Sequence, residues 1–227
     1  MKWKRFVFMA LIGVFGIGCS IFGIRSEEQP PYEVVAEDGK FEIRKYREHI
    51  VAKTTVSGNF EEAQGKSFRI LAGYIFGKNK SQQKIAMTAP VVQVPEDKIE
   101  SESEKIAMTA PVVLKPGESA GGKGKSWTMT FTMPSKYSLK TLPTPEDDRV
   151  VLEVVKERLL ATSSFSGFYG TQKVKKKGEE LLAWVLEQKA YQSVAKPMFA
   201  GYDPPWTLPF LRRNEMLVEI TPTESKD

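Results

Sequence analysis

Histidine and cysteine are nearly missing from this chain: 227 residues contain one of each, His49 and Cys19. A single cysteine cannot close an internal disulfide, and a single histidine excludes a multi-histidine metal centre. No phosphate loop and no nucleophile elbow is framed by a strand and a helix, so the usual signatures of nucleotide and acyl-transfer enzymes are lacking. The acidic pairs Glu61-Glu62 and Asp147-Asp148 fall at a helix start and in a turn, where adjacent carboxylates diverge or face solvent. The chain therefore reads as a binding or interaction protein and not as an enzyme. Excess charge of one sign is also scarce. The net charge is +5, and Lys2, Lys4 and Arg5 supply three of it, leaving +2 for everything after residue 18. That excludes the basic footprint of a nucleic-acid-binding protein. What remains, 41% hydrophobic and 27% charged, is the mixture of one globular domain.

The amino-terminal segment has its own logic. KWKR precedes FVFMALIGVFGIG, the charged and apolar regions of a secretory signal. Cys19 closes that run, and GIGC at 16–19 resembles a bacterial lipobox, which implies a signal peptide over 1–18 and lipidation of Cys19. Phe6 to Ile24 is uncharged throughout, so an uncleaved anchor is an open alternative, as is ordinary cleavage. Each version places the body outside the cytoplasmic membrane, as a periplasmic or outer-membrane lipoprotein or an anchored protein, because the basic flank stays inside. Residues 19–31, ending in SEEQPP, read as a tether; 32–221 form the body, and 222–227 a tail.

Within the body, YEVVAE and FEIRKY flank the turn DGK and predict a hairpin, and HIVAKTTVSG continues as a β-branched third strand. Asn59 followed by Glu62 gives a helix start. Phe60, Ala63, Ser67, Leu71 and Tyr74 recur on one face, widened by Phe68 and Ile75, and Gly77 ends the helix. WTMTFTMP alternates Trp127, Met129, Phe131 and Met133 on one side of a strand. VVLEVVKERLLATSSFSGF predicts strand, turn, strand, and GTQKVKKKGEELLAWVLEQKA a second amphipathic helix. Its lysines read as a solvated face, with attraction to a membrane surface the alternative. SVAKPMFAGY and EMLVEIT predict the last two strands.

Two repeats stand out. KIAMTAPVV occurs at 84–92 and again at 105–113, separated by QVPEDKIESESE. Each copy predicts a strand stopped by its proline, and the pair could form a hairpin with an acidic tip. Met87 and Met108 then either line an adaptable apolar pocket or fill core gaps. More weakly, VAKTTVSGNF at 51–60 parallels LATSSFSGF at 160–168, each a strand leading into a helix. Two strand–helix–strand halves that complete one core predict an α+β fold, a distorted antiparallel β-barrel with two packed helices.

FEIRKY at 41–46, YIFGKN at 74–79, KIAMTAPV at 84–91, MP at 133–134, FSGF at 165–168, GYDPPW at 201–206 and RRNE at 212–215 stand in one order. That series resembles the SOUL haem-binding protein family over Tyr32 to Ile220. The resemblance implies a barrel of two pseudo-symmetric halves and a groove that takes haem or a related tetrapyrrole in some members. A histidine proposed as iron ligand in some members corresponds to Lys45 here, leaving His49 as the possible axial ligand; an exposed turn histidine without a role is the alternative. A second family mode lays the porphyrin beside the first helix. That mode implies Phe68, Leu71 and Met87 as floor and Lys66, Arg69 or Arg44 as propionate partners, with Met108 in the repeated copy. The functional expectation is a membrane-tethered haem carrier, buffer or scavenger. Its alternatives are an interaction or structural lipoprotein that has lost haem and, as a smaller possibility, an enzyme acting on a small hydrophobic substrate.

Overall fold

A computed structural model describes residues 28–80, 85, 91–96, 126–203 and 206–223. β1 (Tyr32–Asp38) and β2 (Phe41–Tyr46) form the expected hairpin, with Gly39 at φ +60° in its turn. That left-handed conformation is open to glycine without a Cβ penalty. β3 (His49–Ser57) runs into α1 (Phe60–Ile75), whose N-cap Asn59 accepts a hydrogen bond from the Glu62 amide at 2.9 Å. β4 (Val91–Glu96), β5 (Ser126–Thr132), β6 (Val151–Val155) and β7 (Arg158–Phe165) follow. Then come α2 (Thr171–Glu187), β8 (Tyr191–Ser193), β9 (Met198–Gly201), a 3-10 turn at Pro209–Leu211 and β10 (Asn214–Pro222).

All ten strands belong to one antiparallel sheet in the order β1-β2-β7-β10-β9-β4-β5-β3-β6, with β8 beside β10. The sheet curls into a half-barrel carrying both helices. Its order is nearly symmetric about the β4–β9 contact: β6, β3, β5 and β4 on one side correspond to β2, β7, β10 and β9 on the other. The strand before each helix matches its counterpart, as the weak internal repeat implies. β3 does not pair with β2, its neighbour in sequence; it pairs with β5 and β6, while β2 pairs with β7.

Of the first nonapeptide copy, Ile85, Val91 and Val92 are described; β4 begins with Val91 and Val92 and continues through QVPE. Pro95 faces Trp127 of β5, beyond the end of the described β4–β9 ladder at Gln93, where a missing donor is tolerated. Ile85 is buried, and its N–H donates to the Ile75 carbonyl at 2.7 Å, which pins this stretch to the end of α1. The second copy lies outside the described residues.

Three apolar clusters hold the fold. Under α1, Leu71, Tyr74 and Ile75 meet Met129, Phe131 and Met133 of β5 and its extension. Beneath α2, Leu181, Trp184 and Val185 meet Phe199, Met216, Val218 and Ile220. Phe60 of α1 joins this second group and packs edge-on against Trp127, which ties the halves together. The opposite face of the sheet carries Tyr46, Leu160, Met198, Ala200, Tyr202 and Leu217. α2 begins at Gly170, which has no side chain to cap it. Glu61 of α1 supplies the acceptor instead, taking hydrogen bonds from the Thr171 hydroxyl at 2.8 Å and the Thr171 amide at 3.2 Å.

Candidate functional site

His49 is the first residue of β3, half-buried, and it lines a cavity of about 490 Å³. The cavity lies where the tether-side residues Glu28 to Pro31 pass the ends of β3 and β5. Arg47 N donates to Pro31 O at 3.0 Å and Ser135 N to the Glu28 carboxylate at 2.9 Å, so both walls are fixed by hydrogen bonds. Ile50, Met133, Tyr137, Leu139 and Val154 give it an apolar lining, and Glu28, Glu48 and Lys140 are its charged members. Gln29, Thr132, Ser135 and Ser138 share the lining, so the wall is mixed apolar and polar.

The imidazole is held by a backbone hydrogen bond. Its Nδ1 lies 2.8 Å from the Arg47 carbonyl, so that nitrogen carries the proton and Nε2 keeps its lone pair. Burial, opposed by that backbone hydrogen bond and aided by the Arg158 charge, holds the pKa below the ordinary histidine value. Neutral imidazole is therefore the form present at pH 7. Among the described residues no group of three or more His, Cys, Asp and Glu side chains converges on a metal position. Met133, buried at 4% exposure, belongs to the same lining.

The helix-centred set is dispersed. Lys66 and Arg69 are exposed on α1, and Phe68, 40% exposed, leans edge-on against Phe131 at 5.6 Å between ring centroids. Leu71 is at 0% exposure inside the core, so it forms no floor for a ligand in this arrangement. Arg44 is far from these residues, on the other face of the sheet. Met87, Met108 and Cys19 lie outside the described residues.

Arg44 belongs to a buried polar cluster that periodicity alone did not disclose. Its guanidinium forks onto Glu215 at 2.9 and 3.1 Å, reaches Glu42 at 2.6 Å and the Tyr46 hydroxyl at 3.2 Å, and lies over the Tyr32 ring. Glu215, at 0% exposure, also receives Arg213 at 2.7 Å and the Tyr202 hydroxyl at 2.6 Å. Burial works to raise the Glu215 pKa, but the Arg44 hydrogen bond and charge, then Arg213 and Tyr202, outweigh it and hold the carboxyl below its usual range. Tyr202 is pushed well up, by burial first and then by the Glu215 charge. The Glu42/Arg44 alternation and the RRNE motif were the visible halves of this cluster; their meeting is a product of the β2–β7–β10 register.

The SOUL heme-binding protein family model matches residues 27–104 and 97–219. This chain belongs to the SOUL family. Each of the two matched stretches contains one copy of KIAMTAPVV. Among curated relatives, mouse Heme-binding protein 2 is 29% identical over 190 residues, covering 82% of this chain and 80% of its own length. The human protein of that name is 28% identical over 196 residues, with 81% and 79% covered. The fold is also similar to the EcmrR C-terminal domain, at a TM-score of 0.55 and 13% identity over 85% of this chain and 99% of that one. A hydrolase from Listeria innocua gives 0.51 and 10% over 82% and 94%. At such identities these two likenesses concern the fold alone. Fold and family thus agree with the expectation of a distorted antiparallel barrel and of SOUL membership.

Proposed function

We propose that this protein binds haem or a related tetrapyrrole in the cavity beside His49, and that it acts as a membrane-tethered carrier, buffer or scavenger outside the cytoplasmic membrane. The observation that carries the reading is the histidine itself: the chain's one imidazole is neutral, oriented by the Arg47 carbonyl, and set in a cavity of mixed apolar and polar lining. SOUL membership and the mouse and human Heme-binding protein 2 support the ligand class. Haem supplies an iron that accepts the Nε2 lone pair. The chain's own residues do the rest: Ile50, Leu139 and Val154 shed water against the ring, Tyr137 offers an aromatic face, and Lys140 attracts a propionate while Glu28 and Glu48 repel it. Nothing in this arrangement calls for chemistry on the ligand, which fits a binding protein better than an enzyme. Among the described residues no helix is long and apolar enough to cross a membrane. Attachment rests on the N-terminal sequence, with Cys19 as the lipidated residue or Phe6 to Ile24 as an anchor.

A haem titration of the chain from residue 26 onward, followed by the Soret band, tests this. Saturable one-to-one uptake with a shifted Soret peak is expected, and His49→Ala should move the peak and weaken binding about tenfold or more, as loss of an orienting ligand does. Unchanged Soret behaviour in His49→Ala, with binding lost instead in Phe68→Ser/Arg69→Ala, would transfer the site to the exposed face of α1. Phe68 at 40% exposure beside exposed Lys66 and Arg69 is the observation favouring that second reading. Uptake that never saturates would leave an interaction lipoprotein with this fold.

A further inference from the structure

At the end of the molecule away from the cavity, large apolar side chains stand in solvent. Phe168 is 69% exposed, Trp206 62% and Phe210 70%. They form one patch: Gly167 N donates to Pro209 O at 2.8 Å, Arg212 lies 5.1 Å over the Phe168 ring, and its Nε donates to Thr207 O at 2.8 Å. Burying them would release a few kcal/mol, yet no described residue covers them. Basic side chains adjoin the patch. α2 starts three residues after Phe168, has no acidic residue in its first turn, and carries Lys173, Lys175, Lys176 and Lys177. Lys173 Nζ sits 5.4 Å over the Phe165 ring and donates to the Ser166 and Phe168 carbonyls, which are neutral acceptors. Of the nearby carboxylates, Glu61 accepts from Thr171 and Asp203 from the Arg213 amide, while Glu179 and Glu180 pair with Lys175 and Lys177, so the cations of this run that no described carboxylate neutralises are Lys173 and Lys176.

Lysines are disfavoured at a helix N-terminus by its partial positive charge. Lys173 and Lys176 beside exposed Trp and Phe match the two demands of a lipid headgroup layer, an amphipathic ring at the interface and cations toward anionic phosphate. We infer that the Phe168–Trp206–Phe210 tip docks on an anionic phospholipid surface, giving the body a membrane contact of its own. The tip and the cavity lie at opposite ends of β2. Ser164 N meets Lys40 O beside Phe41 on the tip side, and Arg47 N meets Pro31 O beyond Tyr46 on the cavity side. That separation is about 20 Å for a strand of this length. Residues 19–27, fully extended, reach about 30 Å, so a lipidated Cys19 and the tip can rest on the same bilayer. The docked body then turns its cavity toward the aqueous phase. This inference does not depend on the ligand being haem.

The test uses the full chain in nanodiscs containing phosphatidylglycerol, with ordinary or brominated acyl chains. Subtracting the emission of Trp206→Phe isolates Trp206 from Trp3, Trp127 and Trp184, and circular dichroism confirms that the variant keeps its fold. Brominated lipid should quench the Trp206 component at least about twofold, with the effect falling sharply in phosphatidylcholine alone and in Lys173→Glu/Lys176→Glu. A Trp206 component untouched by brominated lipid and equally open to iodide with and without bilayer would overturn docking and leave the patch to a protein partner. Equal quenching in phosphatidylcholine would overturn the assignment to anionic lipid.

Discussion

Replacing Glu215 by alanine removes the carboxylate that holds two arginines and a tyrosine hydroxyl in a place water does not reach. Arg44, with a side chain 3% exposed, keeps only Glu42 as a charged partner. Breaking a buried pair from one side costs about 3–5 kcal/mol, because the remaining charge is left uncompensated. At roughly 2–4 °C per kcal/mol for a body of this size, the melting temperature should fall by about 6–20 °C. Arg44→Met leaves Glu215 to Arg213 and Tyr202 and should cost somewhat less. The double variant Arg44→Met/Glu215→Leu removes both buried charges and restores apolar volume, so it should recover much of the loss, with a coupling of about 2 kcal/mol or more. Denaturant unfolding followed by tryptophan fluorescence reads all four corners of the cycle. A double variant as unstable as the sum of the singles would refute the reasoning and make the cluster an ordinary packing element. The pH dependence has a definite sign: Glu215's folded pKa is lowered, so its contribution is complete above the unfolded carboxylate value and vanishes as pH falls through the folded one. The gap between the native chain and Glu215→Ala should therefore close on acidification.

Glu61→Ala removes the cap that α1 lends to α2 and should cost about 1 kcal/mol in urea unfolding, whereas Glu61→Gln, which keeps an acceptor oxygen, should cost clearly less. At Gly178 a Cβ would come within 3.2 Å of Pro197 Cβ and 3.5 Å of Met216 Cε. Gly178→Ala should be near neutral, as gained helix propensity offsets a slight push, and Gly178→Val should destabilise by about 2 kcal/mol in the same assay. His49's folded pKa is lowered, so its neutral form persists to below the ordinary histidine value, and protonation at still lower pH disfavours both the fold and ligation. Haem affinity measured by Soret titration should accordingly fall as pH drops through the folded pKa, and should be flat there in His49→Ala.

Local features were legible in the sequence because their causes are local. Asn59 and Glu62 mark the start of α1, Gly39 marks the hairpin turn, and Trp127, Met129, Phe131 and Met133 show which side of β5 is covered, all within a few residues of the structure they specify. Sheet neighbours were not legible. β3 follows β2 after two residues yet lies six positions away in the sheet order, and no residue in Arg47-Glu48 announces that. For the same reason Arg44 read as a candidate propionate partner: nothing nearby shows Glu215, 171 positions later, arriving opposite it. Leu71 read equally well as core or as groove floor, since helical spacing reports which face is covered but not by what. His49 was singled out by scarcity; its cavity is assembled from Pro31, Met133 and Leu139, which no spacing rule connects.

The crossed pairing of the leading strands has a consequence for how the molecule comes into being. β2 precedes one helix unit but completes the sheet of the other, and β6 does the reverse, so the two halves are sewn together twice, at Arg47-Glu48 and at Lys156-Glu157. A nascent chain that ends before Arg158 has β2 with no inner neighbour, and Phe41 waits for Ser163 across more than a hundred residues. Closing loops of that length is slow. The body should therefore assemble late, as one interlocked piece whose halves have no hinge on which to swing apart.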